Sequence, residues 1–272
     1  MRIGFNTTPP HRSPDEWGDI LSSLGLRAAV FPVDFAAPIN LIDAYVKAAA
    51  ERDIRLAEVG AWSSPFLTDK SGAEKAAEYC KMQLELADYI KADCCVNISG
   101  AAGEVWNGCY KENYSEALYH KNVEFIRKLI DNVKPQNTYY TLEPMQWMLP
   151  DSPQQYLQIL SDVDRKRFAV HMDLTNFIRD PYTFTHRKEL LKESFELLGD
   201  RIKSCHIKDC LIESGTSVII REVPLGEGVM ELTDYLDAIK VLPGDIPVLL
   251  EHLPDMATYE RSLAYLKGIY EL

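Results

Sequence analysis

Short apolar segments alternate with longer amphipathic segments along the whole chain, and this alternation limits the possible folds more than any other feature. The short segments have the length and near-continuous hydrophobicity of parallel strands that are buried on both faces. The longer segments carry apolar residues at the spacing of an α-helix. The predicted strands are residues 2–6, 27–33, 54–60, 94–98, 138–143, 168–173, 202–208 and 247–251, and the predicted helices are residues 15–24, 41–52, 73–91, 114–133, 153–160, 187–198, 232–240 and 258–272.

Eight consecutive strand–helix units are the repeat count of a closed (β/α)8 barrel, the TIM barrel fold. The alternative, an open doubly wound sheet, usually stops at five or six strands. No linker-like stretch interrupts the alternation, so we predict an α/β chain with a single barrel domain over residues 1–272. The two longest irregular segments, residues 99–113 and 210–228, each follow a strand. We expect them at the C-terminal face of the barrel, where active-site loops of this fold lie.

The charge balance and the missing motifs exclude several classes of protein. The chain carries 29 Lys and Arg against 41 Asp and Glu, and the net charge of −12 opposes binding to nucleic acid. No apolar run is long enough to span a membrane, and residues 1–5 enter a strand rather than a signal peptide, so we expect a cytoplasmic protein. The six cysteines form no C-x-x-C pair and no glycine-rich phosphate motif is present, so neither a structural zinc site nor a nucleotide cofactor is predicted.

Four ionisable residues stand at the C-terminal ends of four consecutive predicted strands. Glu143, Asp173 and Glu251 close strands five, six and eight, and His206 lies near the end of strand seven. Because neighbouring barrel strands end at the same mouth, these side chains can converge near the barrel axis. A single acidic residue at such a position is typical of a helix cap or a solvated loop. Four in succession favour a bound cation, because unpaired carboxylates at a barrel mouth lose solvation.

Three carboxylates and one imidazole form an oxygen-rich set that suits one divalent ion and leaves positions for substrate oxygens. We predict Glu143, Asp173, His206 and Glu251 as its ligands. Mn²⁺ is the ion expected first, with Co²⁺, Mg²⁺ and Zn²⁺ as alternatives. A structural zinc site would use thiolates instead.

Five motifs carry a resemblance to a known family: Thr141-Leu142-Glu143-Pro144, His171-Met172-Asp173, His206-Ile207-Lys208-Asp209, Pro224-Leu225-Gly226-Glu227-Gly228 and the terminal-strand Glu251. With them the whole chain resembles the xylose isomerase-like TIM barrels, which include sugar isomerases and epimerases, inosose dehydratases and endonuclease IV. In ketose 3-epimerases of this family the Glu, Asp, His, Glu quartet binds one divalent metal, and the first and last Glu also move the proton. The resemblance therefore implies Glu143 and Glu251 as the catalytic acid/base pair, with Asp173 and His206 as ligands only.

The resemblance implies a metal-dependent isomerase or epimerase of a small sugar or keto-sugar, acting through a metal-stabilised enediolate. Such chemistry needs an electrophile at the carbonyl and a base beside the departing proton, which a metal and two carboxylates supply. A lyase with the same enolisation, an inosose-type dehydratase or a 3-keto-glycoside eliminase, is the alternative. An endonuclease would need more metal ligands and a basic groove, which six His residues and a charge of −12 do not offer. Relatives are commonly dimers or tetramers, so a homo-oligomer is expected.

Departures from the 3-epimerase pattern alter the expected sugar contacts. Those enzymes carry a His three residues after the metal Asp, where this chain has Asn176, and an Arg shortly after the metal His, where this chain offers Lys208. Lys208 shares a strand face with His206, as His171 does with Asp173. We predict His171, Lys208 and Asn176 as substrate-binding residues. The alternative for His171 is a core histidine with satisfied hydrogen bonds, and the alternative for Lys208 is pairing with a neighbouring carboxylate such as Asp209.

Further candidates lie at or just beyond other strand ends. Asn6, Trp62 and Asn97 follow strands one, three and four, where they can hydrogen-bond to or stack on a sugar ring. Trp106 and Tyr110, in the loop after strand four, are predicted either to close over the ligand or to mark a subunit contact. His252 follows Glu251 on the opposite strand face, and we predict a structural role for it.

Overall fold

A computed structural model of the chain, which describes residues 1–271, contains a closed barrel of eight parallel strands. The strands follow one another around the barrel in chain order, and the last pairs with the first. The predicted (β/α)8 fold is therefore confirmed. The barrel strands are β1 Arg2–Phe5, β2 Ala28–Val30, β3 Arg55–Gly60, β4 Cys94–Asn97, β5 Tyr139–Leu142, β6 Phe168–Asp173, β7 Ile202–Ile207 and β10 Pro247–Leu250, while β8 Asp209–Glu213 and β9 Ile219–Val223 form a separate hairpin.

Several helices begin at residues that are typical of helix caps. Ser13, Ser115 and Ser152 each accept a hydrogen bond from the backbone N–H three residues ahead, and a proline follows Ser13 and Ser152 directly. No helix within residues 1–271 is both long enough and apolar enough to cross a membrane. The helices are α1 Pro14–Ser23, α2 Ile39–Glu51, α3 Lys70–Ile90, α4 Glu116–Val133, α5 Pro153–Val163, α6 Pro181–Thr185, α7 Arg187–Leu198, α8 Leu232–Lys240 and α9 Met256–Ile269, with 3₁₀ turns at Lys111–Tyr114, Thr175–Phe177 and Gly199–Arg201.

The main difference from the predicted elements lies in residues 210–228, which are not irregular throughout. Strands β8 and β9 pair antiparallel there, and Ile212 and Ile220 from this pair pack against a buried cluster around Phe184 and Cys210. Burial of these apolar side chains stabilises a hairpin where an open loop was expected. The predicted last helix, 258–272, begins earlier and ends at Ile269, and its final residue, Leu272, lies outside the described residues.

The carboxylate of Asp209 organises the end of the same segment. It accepts hydrogen bonds of 2.9 to 3.0 Å from the backbone N–H groups of Cys210, Gly226, Gly228 and Met230. A Cβ at Gly228 would lie 2.1 Å from Asp209 Oδ1, so only glycine leaves room for this carboxylate. The motif at residues 224–228 is therefore explained by loop structure, with Glu227 exposed at its turn.

Gly4 in β1 lies where any side chain would meet the neighbouring strand. A Cβ there would be 2.2 Å from the carbonyl oxygen of Ala28 in β2, and a backbone atom in a paired strand cannot move aside. We expect Gly4→Ala to lower the free energy of unfolding by about 3 kcal/mol, the cost of overpacking a core. Gly268→Ala in α9 is the control: nothing lies within 4 Å of its added Cβ, and a gain of up to about 1 kcal/mol is expected. Urea denaturation measures both, and equal midpoints would contradict this account.

Candidate active site

The quartet of Glu143, Asp173, His206 and Glu251 meets at the C-terminal mouth of the barrel. Their strands, β5, β6, β7 and β10, are consecutive around the barrel. Each residue offers one ligand atom within 4.8 Å of those of the other three, and all four are buried. The structure thus brings together the four residues that the strand-end positions had grouped.

Distances within the quartet match the spacing of ligands around one ion. His206 Nδ1 lies 3.0 Å from Glu251 Oε2, 3.4 Å from Glu143 Oε1 and 3.8 Å from Asp173 Oδ2. Two donors that are each about 2.1 Å from an ion are separated by about 3 to 4 Å, depending on the angle between them. The spacing of the four side chains is therefore compatible with one shared divalent cation, provided that the neighbouring Lys208 ammonium moves aside.

The side chain of Lys208 reaches into the quartet. Its Nζ lies 2.8 Å from Asp173 Oδ2 and 2.6 Å from Glu251 Oε2, and its side chain is 1% exposed. Both contacts are ion pairs between the Lys208 ammonium and a buried carboxylate. Of the two roles considered for Lys208, a substrate contact and pairing with a carboxylate, the structure shows carboxylate pairing, with Asp173 and Glu251 rather than Asp209.

Burial and neighbouring charges shift the ionisation of these groups in opposite directions. Burial and the charge of Glu251 raise the pKa of Glu143 to about 7. Burial opposes ionisation of Glu251 as well, but the charges of His206 and Lys208 outweigh it and hold the pKa of that carboxyl well below its usual range. Burial would lower the pKa of His206, but Glu251, Glu58 and Glu143 raise it well above its ordinary value.

A fourth carboxylate, Glu58, lies on the other side of His206. Glu58 is in β3 and is fully buried. Its Oε2 lies 3.2 Å from His206 Nε2 and accepts a hydrogen bond from it, and its Oε1 lies 3.3 Å from His171 Nδ1. The His206 ring is therefore held between Glu58 at one nitrogen and the quartet at the other. Glu58 is not among the residues predicted from the sequence, although a single charged residue within the apolar run Leu56-Ala57-Glu58-Val59 indicates an unusual position.

A cavity of about 400 Å³ opens beside the quartet and reaches Glu143 and Glu251. A hollow of about 360 Å³ elsewhere is lined by Arg2, Asp53 and Arg55 at the opposite end of the barrel, where Arg2 pairs with Asp53. The cavity at the mouth is the better candidate, because carboxylates and aromatic rings converge on it. Its lining residues are Asn6, Trp62, Ile98, Trp106, Asn107, Glu143, Met145, Trp147, Glu251 and His252.

The predicted substrate-binding residues fall into two groups. Asn6 and Trp62 line the cavity, and the Asn6 amide donates a hydrogen bond to Glu251 Oε1. Asn97 and His171 are buried within the fold. The Asn97 amide bonds to the backbone at Ser63 and Ile98, and His171 Nδ1 lies 2.6 Å from Ser204 Oγ.

Two further side chains, Asn176 and His252, lie beside the quartet or the cavity. Asn176 Nδ2 donates to Glu143 Oε1 at 2.8 Å, so it contacts a carboxylate of the quartet. His252 lines the cavity and lies 2.8 Å from Glu222 Oε2, whereas a structural role had been predicted for it. Both residues therefore belong to the surroundings of the candidate site.

A sequence model of one protein family, described as "Xylose isomerase-like TIM barrel", matches residues 19–269. The chain belongs to this family. The matched range contains the whole quartet, together with Glu58 and Lys208. Among curated proteins, no sequence matches this xylose isomerase-like chain.

Three solved structures share the fold of this family member at low sequence identity. The probable 3-DHS dehydratase involved in petrobactin synthesis in Bacillus anthracis is 16% identical, with a TM-score of 0.74 over 98% of this chain and 99% of that chain. The 3-keto-D-glucoside 4-epimerase from E. coli, in its apo form, is 12% identical, with a TM-score of 0.68 over 98% and 99%. A xylose isomerase-like TIM barrel protein from Mycobacterium smegmatis, in complex with magnesium, is 16% identical, with a TM-score of 0.71 over 98% and 96%.

Proposed function

We propose that this protein is a divalent-metal-dependent epimerase or isomerase of a small keto-sugar. The observation that carries the proposal is the convergence of three buried carboxylates and one imidazole at the barrel mouth, with Glu143 and Glu251 also lining a cavity of ligand size. Family membership supports it, and so does the likeness in fold to a 3-keto-D-glucoside 4-epimerase and to a relative that binds magnesium.

The residues of the quartet fit a divalent cation. Three buried carboxylates and one imidazole offer ligand atoms within 4.8 Å of one another, and the Lys208 ammonium meets Asp173 Oδ2 and Glu251 Oε2 at 2.8 and 2.6 Å. A divalent cation would take over the charge compensation that Lys208 gives these oxygens, and an oxygen-rich set with one imidazole suits Mn²⁺, Mg²⁺ or Co²⁺. We propose Glu143, Asp173, His206 and Glu251 as ligands and Mn²⁺ as the first ion to test, followed by Mg²⁺, Co²⁺ and Zn²⁺. When bound, the ion would act as a Lewis acid on the substrate carbonyl.

Glu143 and Glu251 are the proposed acid/base pair. They follow β5 and β10, the first and last of four neighbouring strands, so they approach the substrate position from different sides. One carboxylate removes the proton beside the carbonyl, and the other returns a proton to the opposite face of the sugar. Each is oriented by an amide, since Asn176 Nδ2 donates to Glu143 and Asn6 Nδ2 donates to Glu251.

Metal removal and isotope exchange test the proposal. We expect about one Mn²⁺ or related ion per chain, loss of activity in EDTA, and recovery when Mn²⁺ is returned. Incubation in D₂O with ketoses, aldoses, inososes and 3-keto-glycosides should place deuterium at an epimerised or isomerised carbon of one of them. A product lighter by water or by an aglycone would assign lyase chemistry instead. A metal-free protein that is active and insensitive to EDTA would contradict the proposed site.

A further inference from the structure

Three of the four tryptophans in the chain line the cavity that contains Glu143 and Glu251. Trp62 follows β3, Trp106 lies in the loop after β4, and Trp147 lies in the loop after β5. All three are half-buried. We call these three side chains the tryptophan wall.

The tryptophan wall and Glu251 lie on different sides of the cavity, and Glu143, which follows β5, lies between them. The wall is built on the loops after β3, β4 and β5, and Ile98 and Met145 from the same loops line the cavity beside it. Asn6, Glu251 and His252 line the cavity from β1 and β10. The cavity therefore has a charged side and an apolar side.

Two of the three indole nitrogens in the wall, those of Trp62 and Trp147, face other parts of the protein. The Trp147 indole Nε1 already donates to the carbonyl oxygen of Asn107 at 2.9 Å. A Cβ at Gly60 would lie 2.3 Å from Trp62 Nε1, so the nitrogen edge of Trp62 packs against the backbone of β3. Hydroxyl groups that are buried without partners are costly, so this side suits an apolar ring better than a second polyol.

The loops that carry the wall are bonded to one another. Asn113 Nδ2 donates to the carbonyl oxygens of both Gly108 and Trp147, at 2.9 and 3.1 Å, and so joins the loop after β4 to the loop after β5. The backbone N–H of Ala101 donates to the carbonyl oxygen of Trp106 at 2.9 Å. Because these bonds hold the loops together, the wall is formed in advance of binding.

We propose that the tryptophan wall binds an aromatic aglycone, so that the substrate is an aryl glycoside of a keto-sugar rather than a free monosaccharide. The inference rests on the proposed function, which places the sugar carbonyl at the quartet. The continuity of the cavity supports it, because one chamber joins the carboxylates to the three indoles. An aglycone attached to a sugar held at Glu143 and Glu251 would extend toward the wall.

Calorimetric titration of the Mn²⁺-loaded chain with matched phenyl and methyl glycosides tests the proposal. The pairs are those of D-glucose, D-galactose and their 3-keto derivatives. We expect the phenyl member of at least one pair to bind about tenfold more tightly than the methyl member, the gain typical of an aromatic contact together with its burial. Trp106→Ala should remove that preference while leaving affinity for the methyl glycoside unchanged, and Trp106→Phe should keep most of it. Tyr182→Ala, at an aromatic residue that is 69% exposed on α6, is the control and should change neither affinity.

Several results of these titrations would contradict the proposal that the tryptophan wall binds an aglycone. Equal affinity within every pair, no measurable binding of any phenyl glycoside, or a preference that survives in both Trp106→Ala and Trp62→Ala would overturn it. So would a wild-type dimer that Trp106→Ala converts to a monomer, because the wall would then be a subunit contact. The proposed function fails separately, through the absence of deuterium exchange with every member of its panel, the 3-keto-glycosides included.

Discussion

Replacing Glu251 with Gln is expected to lower kcat/KM about 1,000-fold, the usual contribution of a general acid or base. Glutamine keeps the shape of the side chain but can neither accept the substrate proton nor supply the negative charge that Lys208 and His206 meet at 2.6 and 3.0 Å. The exchange of deuterium into the substrate should fall in parallel. Steady-state kinetics and mass spectrometry measure the two effects.

The matched control for this variant is Glu213→Gln. Glu213 is exposed on the hairpin and pairs with Arg221, away from the cavity lining. Its kcat/KM should stay within about twofold of that of the wild type, because an exposed ion pair contributes little. An active Glu251→Gln variant that still exchanges deuterium would remove Glu251 from the acid/base pair.

The positions of the quartet were predictable from the sequence because strand ends carry a local signal. Glu143, Asp173 and Glu251 each terminate an apolar run, and the barrel topology brings such ends to one mouth. The partners of Lys208, in contrast, could not be predicted from local sequence. Its strand face could be read from the spacing to His206, but which carboxylates its flexible four-carbon side chain reaches depends on how four strands meet in space.

Glu58 and the hairpin were missed for different physical reasons. Glu58 lies in β3, on the far side of the barrel from β7, and its contact with His206 spans 148 residues of sequence. No periodicity within β3 indicates such a partner. The strands β8 and β9 are short, and their pairing is stabilised by packing of Ile212 and Ile220 on another part of the chain, which is a tertiary effect.

Replacing Glu58 with Gln is expected to weaken Mn²⁺ binding by about 10- to 100-fold, the usual effect of losing a partner that orients a histidine ligand. The Glu58 carboxylate accepts a hydrogen bond from His206 Nε2, so the other ring nitrogen, Nδ1, which faces Glu143, Asp173 and Glu251, is the one that would bind a metal ion. A glutamine amide can present its N–H₂ group to the same nitrogen, so the tautomer of His206 is no longer fixed. Calorimetric titration of the metal-free protein with Mn²⁺ measures this affinity without depending on turnover.

A control variant that removes a different carboxylate, Asp93, separates weaker Mn²⁺ binding in Glu58→Gln from a general loss of stability. Asp93 pairs with Arg55 beside the hollow at the opposite end of the barrel, and its side chain is 13% exposed. Asp93→Asn should lower the stability of the fold slightly, because it removes one partner of an ion pair whose Arg55 side chain is 41% exposed, while Mn²⁺ affinity stays unchanged. If Glu58→Gln binds Mn²⁺ as tightly as the wild type, or if Asp93→Asn weakens binding equally, then Glu58 does not act on the metal through His206. A selective loss in Glu58→Gln would extend the candidate site from the strand ends at the barrel mouth into the barrel interior.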